Sequence, residues 1–362
     1  MMSGIDMNTF VQSTTTTQAW SNGRHIVRCV RTVQETHDVR TFCFIAEQPL
    51  MFFFKPGQFV TLELEIDGER VMRSYTLSSS PSLPYSFSLT IKRVPGGKVS
   101  NWLHDNFGEG DQLAVHGPLG QFNAIDFPAG KVLLLSGGVG ITPVMSMARW
   151  FFDTNDAVDM IFVHSARTPK DIIYHHELRH MASRSEKFKL HLVCERYETG
   201  EAWAGYRGYF GRAMLDLMAP DFFEREIFCC GPTPYMAAVR QLLEMAGFDR
   251  LRYHEEAFAA PPAKVCKLIA EVPDQVTHLV EFSRTGKSVR VTPGETLHAA
   301  AGRLGLHIPK ACGMGICGTC RVLKSSGEVV LEHKGGISDE ELAQGYVLSC
   351  CSSPKGDVTI DY

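Results

Sequence analysis

Three cysteines within ten residues, in the stretch ACGMGICGTC at 311–320, constrain this chain more than any other feature. Cys312, Cys317 and Cys320 follow a C-x4-C-x2-C spacing, and Cys350 follows after a further 29 residues. That is the spacing of a plant-type [2Fe–2S] site, in which two irons need four thiolates converging on a compact loop. Gly313, Gly315 and Gly318 let such a loop turn tightly. Their amide N–H groups can then point at sulfide and offset its negative charge. Zinc suits the pattern poorly, because it favours two pairs of C-x2-4-C spacing and Cys312 stands alone. The total of 11 cysteines is odd and too thinly spread for a secreted disulfide scaffold. Thiols kept reduced and used as ligands fit better. Cys351 adjoins Cys350 and is the weaker ligand candidate: if Cys350 points into the site from a strand, its neighbour points away.

The remaining chain is too long, at 362 residues, for one ordinary core. A net charge of −4 and the lack of a basic run give no reason to expect nucleic acid. No apolar stretch is long enough to span a bilayer, so no membrane is expected. The opening MMSGIDMNTFVQSTTTTQAW lacks the layout of a signal peptide, which favours a cytoplasmic location. Residues 1–23 are polar and Thr-rich and are expected to be mobile. Between 24 and 125, short β-like runs such as HIVRCVRTV, VRTFCFIAE and YSFSLTIKRV alternate with Gly, Pro and Asp turns. With a single helical stretch, SNWLHDNF, they argue for an antiparallel barrel. From 126 to 258 the pattern changes to apolar strands (KVLLLSGG, DMIFVHS, KLHLVCERY, EIFCCG) alternating with helices. That implies a mostly parallel, doubly wound sheet. Its first helix, TPVMSMARWFF, is expected to carry Thr142 as N-cap and Pro143 in its first turn. Residues 259–272 read as a linker, a tether of about 20 Å if flexible, into a last domain at 273–362. No internal repeat is found.

The segments also carry motifs. RSYT at 73–76 and GKVS at 97–100 lie in the barrel segment; SGGVGITP at 136–143 and CCGPTPYM at 229–236 lie in the α/β segment. Together, in this order, they resemble the ferredoxin–NADP reductase superfamily, and the cysteine segment resembles a β-grasp ferredoxin domain. The resemblance implies a multidomain chain: an antiparallel β-barrel flavin domain, an α/β doubly wound nicotinamide domain and an α+β β-grasp ferredoxin domain. It implies that Arg73 neutralises the flavin pyrophosphate, that Ser74 and Tyr75 lie against the cofactor, and that Thr76 hydrogen-bonds the reactive edge of the ring. The chemistry asks for these types: a fixed cation, an aromatic face and a hydroxyl that donates or accepts. Ile91, Lys92 and Arg93 occupy the strand that flanks the cofactor in relatives. Gly97, the amides of Lys98 and Val99, and Ser100 open a helix, a ready phosphate site. FAD is expected; FMN stays open, since no feature of the sequence fixes the adenine.

Gly137, Gly138 and Gly140 leave bare backbone between a strand and a helix, which suits a dinucleotide pyrophosphate. The loop is not G-x-G-x-x-G; it resembles the superfamily's own nucleotide loop, with Thr142 as a phosphate contact. The C-G-P motif places Cys230 against the nicotinamide, with Gly231 and Pro232, while Cys229 packs in the core. Glu256 and Phe258, in YHEEAF, are expected to approach the flavin, Phe258 covering a ring face. HSART, with Ser165 and Arg167, ends a strand where the adenosine ribose should lie. Arg167 suits a 2′-phosphate, hence NADPH, or stacking on adenine; the resemblance points to NADH.

Two further motifs have plain readings. HELRH at 176–180 matches the H-E-x-x-H helix of zinc metalloproteases, but it lies inside the nicotinamide segment and lacks a third ligand, so a solvated helix is expected. SDEEL at 338–342 is read as a capping box from Ser338 to Glu341.

The whole resembles reductase components of multicomponent oxygenases, in detail most nearly those serving Rieske oxygenases that demethylate quaternary amines such as glycine betaine. It implies hydride transfer from NADH to FAD, single electrons to the [2Fe–2S] cluster, and a Rieske-type oxygenase as transient partner. Thr76, Cys230, Glu256 and Phe258 then orient and tune and are not nucleophiles. A reductase of the same build serving a hybrid-cluster protein or a di-iron hydroxylase is the alternative. More remote is a redox-sensing module without turnover.

Overall fold

The computed structural model describes residues 18–20, 23–154, 157–197, 202–258, 277–306, 308, 310, 313, 315, 318–333 and 336–362. The expected linker at 259–272, the expected ligands Cys312 and Cys317, and residues 1–17 lie outside the described residues. The chain divides into two compact units. One comprises Met1–Ile66, Tyr75–Pro118 and Phe122–Ala257; the other comprises Asp67–Ser74, Leu119–Gln121 and Phe258–Tyr362.

The barrel strands are β1 (Gly23–Thr36), β2 (Val39–Ala46), β3 (Phe59–Ile66), β4 (Glu69–Thr76), β5 (Phe87–Lys92) and β6 (Gln112–Leu119), with helix α1 (Lys98–Asn106) before β6. They lie in the order β4-β3-β6-β1-β2-β5, and an antiparallel bridge between Leu77 and Leu89 joins the two edges of the curled sheet. Alternate residues of β2 and β5 turn inward: Phe42, Phe44, Phe87, Leu89 and Ile91 are buried, and Phe44 stacks on Phe87 with ring centroids 5.2 Å apart. This period of two is what the sequence pattern anticipated. The expected mobile segment 1–23 needs correction at its end. Gln18–Ala19 pairs in parallel with Leu50–Met51, and Trp20 is buried against Phe52 and Phe87, since burial of an indole outweighs the polar composition around it.

The parallel sheet comprises β7 (Lys131–Gly137), β8 (Asp159–Ala166), β9 (Phe188–Cys194), β10 (Tyr206–Arg207), β11 (Glu226–Cys230) and β12 (Tyr253–Glu256). Its order is β10-β9-β8-β7-β11-β12, with every pairing parallel. Both faces are covered. Helices α2 (Ile141–Thr154) and α3 (His175–Arg184) pack on one, and α4 (Arg212–Met218) and α5 (Thr233–Ala246) on the other. Strands buried on both sides explain the uninterrupted runs VLLL and IFV. The chain fills one side of β7 and then crosses to the other through β11. The C-terminal ends of β7 and β11 therefore flank the switch point, where such sheets bind ligands.

In the second unit, a sheet of order β14-β13-β19-β15-β17 holds helix α6 (Leu297–Arg303). The strands are β13 (His278–Phe282), β14 (Lys287–Val291), β15 (Arg321–Ser326), β17 (Tyr346–Leu348) and β19 (Val358–Asp361); β16 (Val329–Leu331) pairs separately with β18 (Ser352–Pro354). Only β13–β19 is parallel. Leu297, Ala300 and Ala301 turn the helix's small face into the core, and Thr296 caps it by accepting from the Ala299 amide at 3.2 Å. The capping box of helix α7 (Asp339–Ala343) is formed as expected, with Ser338 and Glu341 bonding each other's backbone N–H.

Arg225, 1% exposed, closes the start of the parallel sheet. Its guanidinium donates to both carboxylate oxygens of Asp221 at 2.8 and 2.9 Å, to Asp159, and to the Val132 carbonyl. The Arg225 bonds hold Asp221 at about 2. A depressed carboxylate stabilises the fold above its unfolded value near 4 and loses that contribution as pH falls toward 2. Between pH 5 and 2.5, the parent should therefore lose about 2 kcal/mol more than Asp221→Asn, read as the shift of the urea unfolding midpoint.

Candidate functional site

At the switch point two loops meet backbone to backbone. Strand β7 ends at Gly137 and runs into a 3-10 turn, Gly138–Gly140, that leads into α2. Gly138 has φ +52°, the left-handed region where glycine carries no penalty. A Cβ on Gly140 would lie 2.4 Å from the Cys230 carbonyl oxygen and 2.5 Å from Gly231 Cα, so any larger residue would push the loops apart. Gly231 in turn has no room for a Cβ against Tyr235 and the Gly137 amide, and Pro232 precedes α5. Tyr235, whose ring lies against both glycines, was not singled out from the sequence. Its place in the first turn after C-G-P was the available signal.

Thr142 departs from expectation. It is not an N-cap but the second residue of α2, buried, with its hydroxyl donating to the Val139 carbonyl at 3.1 Å. The glycine turn starts the helical winding one step early. Ser165 ends β8 half-buried, and Arg167 just beyond it is exposed.

Cys230 and Glu256 are register partners at the C-terminal ends of β11 and β12. Cys230 is fully buried; burial, followed by the Glu256 carboxyl, pushes its thiol well above the usual value. Burial thus favours the protonated thiol. Glu256 is buried too, its Oε2 finds no partner among the described residues, and burial raises its carboxyl to about 8. A half-satisfied polar group in such a place is costly unless something else meets it. Cys229 faces the opposite core, as expected. Phe258, two residues beyond β12, is 38% exposed.

The same loops meet the barrel. The Gly138–Gly140 turn lies against β5, and Gly57 (φ +110°) lets the barrel approach α2, since a Cβ there would strike Met147. Arg149 of α2 reaches across: its guanidinium donates to the Ser78 carbonyl, grips Glu177 at 2.7 and 2.6 Å, and lies 4.6 Å over the Tyr174 ring. Tyr174 in turn bonds Thr90 of β5, Thr90 bonds Thr41 at 2.8 Å, and Thr41 donates to Glu35 at 2.6 Å. Each hydroxyl has one proton, so the sense of this chain is fixed from Tyr174 to Thr90 to Thr41 to the carboxylate. Ser146 adds a bond to the Ser79 carbonyl at 2.7 Å. Sequence reading missed this network, whose partners lie far apart in the chain. It also accounts for the Glu of H-E-x-x-H, which is Glu177 on α3; His176 and His180 are exposed on that helix.

Around the expected flavin residues, Thr76 ends β4 buried, Tyr75 and Ser74 are half-buried and Arg73 is exposed. Ile91 is buried and its carbonyl meets His104 Nε2 at 2.9 Å. The side chains of its neighbours are engaged elsewhere: Lys92 with Asp38 at 3.1 Å and Arg93 with both oxygens of Asp105. At the start of α1, Ser100 accepts from the Val94 amide, and Gly97 leaves room for that hydroxyl, to which a Cβ would come within 2.6 Å. Ser100 thus shapes the loop, while Lys98 and Val99 form the first turn.

Of the expected cluster ligands, two fall among the described residues, and they are together: the Cys350 thiol hydrogen-bonds Cys320 and the Gly315 amide. The Ser349 amide, donating to the Cys320 carbonyl at 3.0 Å, ties the two segments. Gly313, Gly315 and Gly318 all have φ near +70°, the left-handed region that glycine enters without penalty. Cys350 does not sit in a strand, however; it lies in the turn between β17 and β18. The alternation argument therefore fails, and the Cys351 sulfur also faces the loop, 2.6 Å from where a Gly315 Cβ would be.

Comparison with known proteins agrees with this layout. Family models match an oxidoreductase FAD-binding domain over residues 27–124, an oxidoreductase NAD-binding domain over 134–241 and a 2Fe-2S iron-sulfur cluster binding domain over 280–355. The chain is 72% identical to the glycine betaine monooxygenase reductase subunit of Pseudomonas aeruginosa, over 96% of this chain and 98% of that one. It is 65% identical to the protein of the same name in Chromohalobacter salexigens, with the same coverage. Among solved structures, phthalate dioxygenase reductase shares the fold, with a TM-score of 0.57 and 22% identity over 94% of this chain and 98% of that one.

Two outcomes follow from the crowding and the buried acid. Gly140→Ala should cost about 1–3 kcal/mol through overpacking, measured as a lowered unfolding midpoint. Because the folded carboxyl of Glu256 keeps its proton up to about 8, parent stability should fall as pH rises from the ordinary glutamate range to about 8. Glu256→Gln should remove that decline, so its stability advantage over the parent grows across this window.

Proposed function

The chain belongs to the family of monooxygenase reductase subunits that join FAD-binding, NAD-binding and 2Fe-2S domains in one polypeptide, and on that premise we propose that it serves a Rieske-type oxygenase that demethylates glycine betaine or a closely related quaternary amine. The family makes it an oxidoreductase that works with FAD, NAD and a 2Fe-2S cluster and delivers electrons to an oxygenase. Among the described residues no helix is long and apolar enough to cross a membrane. The observation that carries the choice of oxygenase is the 72% identity, over 96% of this chain, to a reductase subunit of that name.

The residues fit the groups. A cradle too narrow for any Cβ at Gly140 and Gly231, backed by the unpartnered Glu256 oxygen, suits a dinucleotide whose atoms complete it. Gly137, Gly138, Gly140 and Thr142 would hold the NADH pyrophosphate, with Ser165 and Arg167 at the adenosine ribose. Cys230, Gly231, Pro232 and Glu256 would orient the nicotinamide, the neutral thiol giving a small, uncharged contact beside the reacting carbon. Arg73 and the first turn of α1 would neutralise the FAD phosphates. Thr76 would bond the reactive edge of the ring, with Tyr75 and Phe258 as aromatic neighbours. Cys312, Cys317, Cys320 and Cys350 would bind the cluster. When bound, these groups supply hydride acceptance from NADH, a split into single electrons, and a surface outlet for them. Catalysis by the chain itself is then positioning, because hydride transfer needs near-attack distance and little else.

The test is anaerobic addition of NADH to the coloured holoprotein, followed by supply of a purified Rieske oxygenase, glycine betaine and O2. We expect both flavin and cluster absorption to bleach, and NADH-dependent formation of dimethylglycine. Bleaching without dimethylglycine, in the presence of an oxygenase shown to work with another reductase, overturns the partner assignment. Flavin bleaching alone overturns the route through the cluster.

A further inference from the structure

Tyr235, in the first turn of α5, carries a hydroxyl to which the nucleotide reading gives no task. Its ring spreads over the bare backbone at the switch point. A Cβ on Gly137 would lie 3.2 Å from its Cγ and Cδ1, and one on Gly231 would lie 2.7 Å from its Cδ1. Phe210 borders it, with ring centroids 6.5 Å apart. The ring thus bridges the ends of β11 and β7, and the strand order puts β8 next in line. There Ser165 is the register partner of Gly137, on the sheet face that Tyr235 covers. Both residues are half-buried, yet their hydroxyl oxygens, Tyr235 Oη and Ser165 Oγ, are fully enclosed. Neither oxygen has a hydrogen-bond partner among the described residues, so neither reaches the other. Enclosed hydroxyls are nearly always paired, and an unpaired one carries an uncompensated desolvation cost. Two of them at the edge where such sheets bind ligands are better explained by a partner that arrives than by packing.

We propose that the Tyr235 and Ser165 hydroxyls together bind the adenosine ribose of the dinucleotide, and that the Tyr235 ring turns aside to admit it between its tip and Ser165. The inference deepens the reading of this place as the NADH site and rests on it. Two neutral hydroxyls, each able to donate and to accept, match a vicinal diol, whose own hydroxyls ask for both. Moving the ring breaks no hydrogen bond of Tyr235. The start of the helix leaves it free to move, because Pro232, Thr233 and Pro234 are all exposed. Tyr235 is then a binding residue, one that holds the far end of the nucleotide and takes no part in the hydride step.

The experiment titrates ADP-ribose, which carries the adenosine end and has no hydride to transfer, into the oxidised full-length holoprotein by calorimetry. Its forms lacking the 2′- or the 3′-hydroxyl of the adenosine ribose are titrated beside it. We expect the parent to bind at least one deoxy form several-fold more weakly than ADP-ribose. Tyr235→Phe and Ser165→Ala should each bind ADP-ribose several-fold more weakly than the parent, and should lose less on going to that deoxy ligand. Without ligand, Tyr235→Phe should unfold at a higher urea midpoint than the parent, since it deletes an enclosed, unpaired hydroxyl. A gain in stability with a loss of affinity is what a merely structural tyrosine would not give. Equal affinity of the parent and either variant for ADP-ribose overturns the proposal, as does a parent indifferent to both missing hydroxyls. So does a loss in Tyr235→Phe that is undiminished on the deoxy ligands. A lowered midpoint overturns it too, because the hydroxyl would then have a partner within the folded chain. If the parent itself binds no ADP-ribose, the reading of the place as the NADH site falls, and the inference with it.

Discussion

Much of the first unit depends on one close approach, that of Gly140 to the backbone of Cys230 and Gly231. It is possible only because the parallel sheet changes direction at β7, bringing the C-terminal ends of β7 and β11 side by side. From that contact the α2 helix takes its direction, and with it the position of Arg149 and Ser146, which grip the barrel. A cradle walled by main chain leaves amides and not side chains to meet a nucleotide. The chemistry-bearing groups, Cys230 and Glu256, are set one strand apart behind it.

Those two groups show how charge is kept out of this place. Cys230 stays a thiol and burial favours a protonated Glu256, while the nearby His164, buried with its Nδ1 on Ser136 at 2.8 Å, is held down to about 3 and stays neutral as well. Ionised groups are instead spent where they fasten elements: Arg225 with Asp159 and Asp221 at the opposite end of the sheet, Arg149 with Glu177 at the seam. A low-dielectric, uncharged floor suits a reaction in which charge moves between two stacked rings.

What was legible in the sequence was whatever repeats locally or is dictated by sterics. Periods of two and runs of apolar residues gave the barrel and the parallel sheet, and glycines in Gly137–Gly140 marked where backbone is bare. Cysteine spacing read the cluster because metal ligation fixes both residue type and separation. What could not be read depends on where distant side chains end. The ion pairs of Lys92 with Asp38 and of Arg93 with Asp105 join positions that no local pattern links. Arg149 meets Ser78 across 71 positions. Strand alternation could not place the Cys351 side chain, because residues 349–351 fold as a turn.

The seam between barrel and parallel sheet governs how the protein comes apart. Each module has its own signature in the sequence, and a boundary near residue 125 is natural there. Yet the Arg149 guanidinium and the Tyr174 phenol each bond across it, to the Ser78 carbonyl and to Thr90. To melt the barrel alone would take from Tyr174 its Thr90 partner and from Arg149 its Ser78 partner, and to melt the sheet alone would take the same bonds from the barrel. Energetically the first two modules form one cooperative unit, inherited as two.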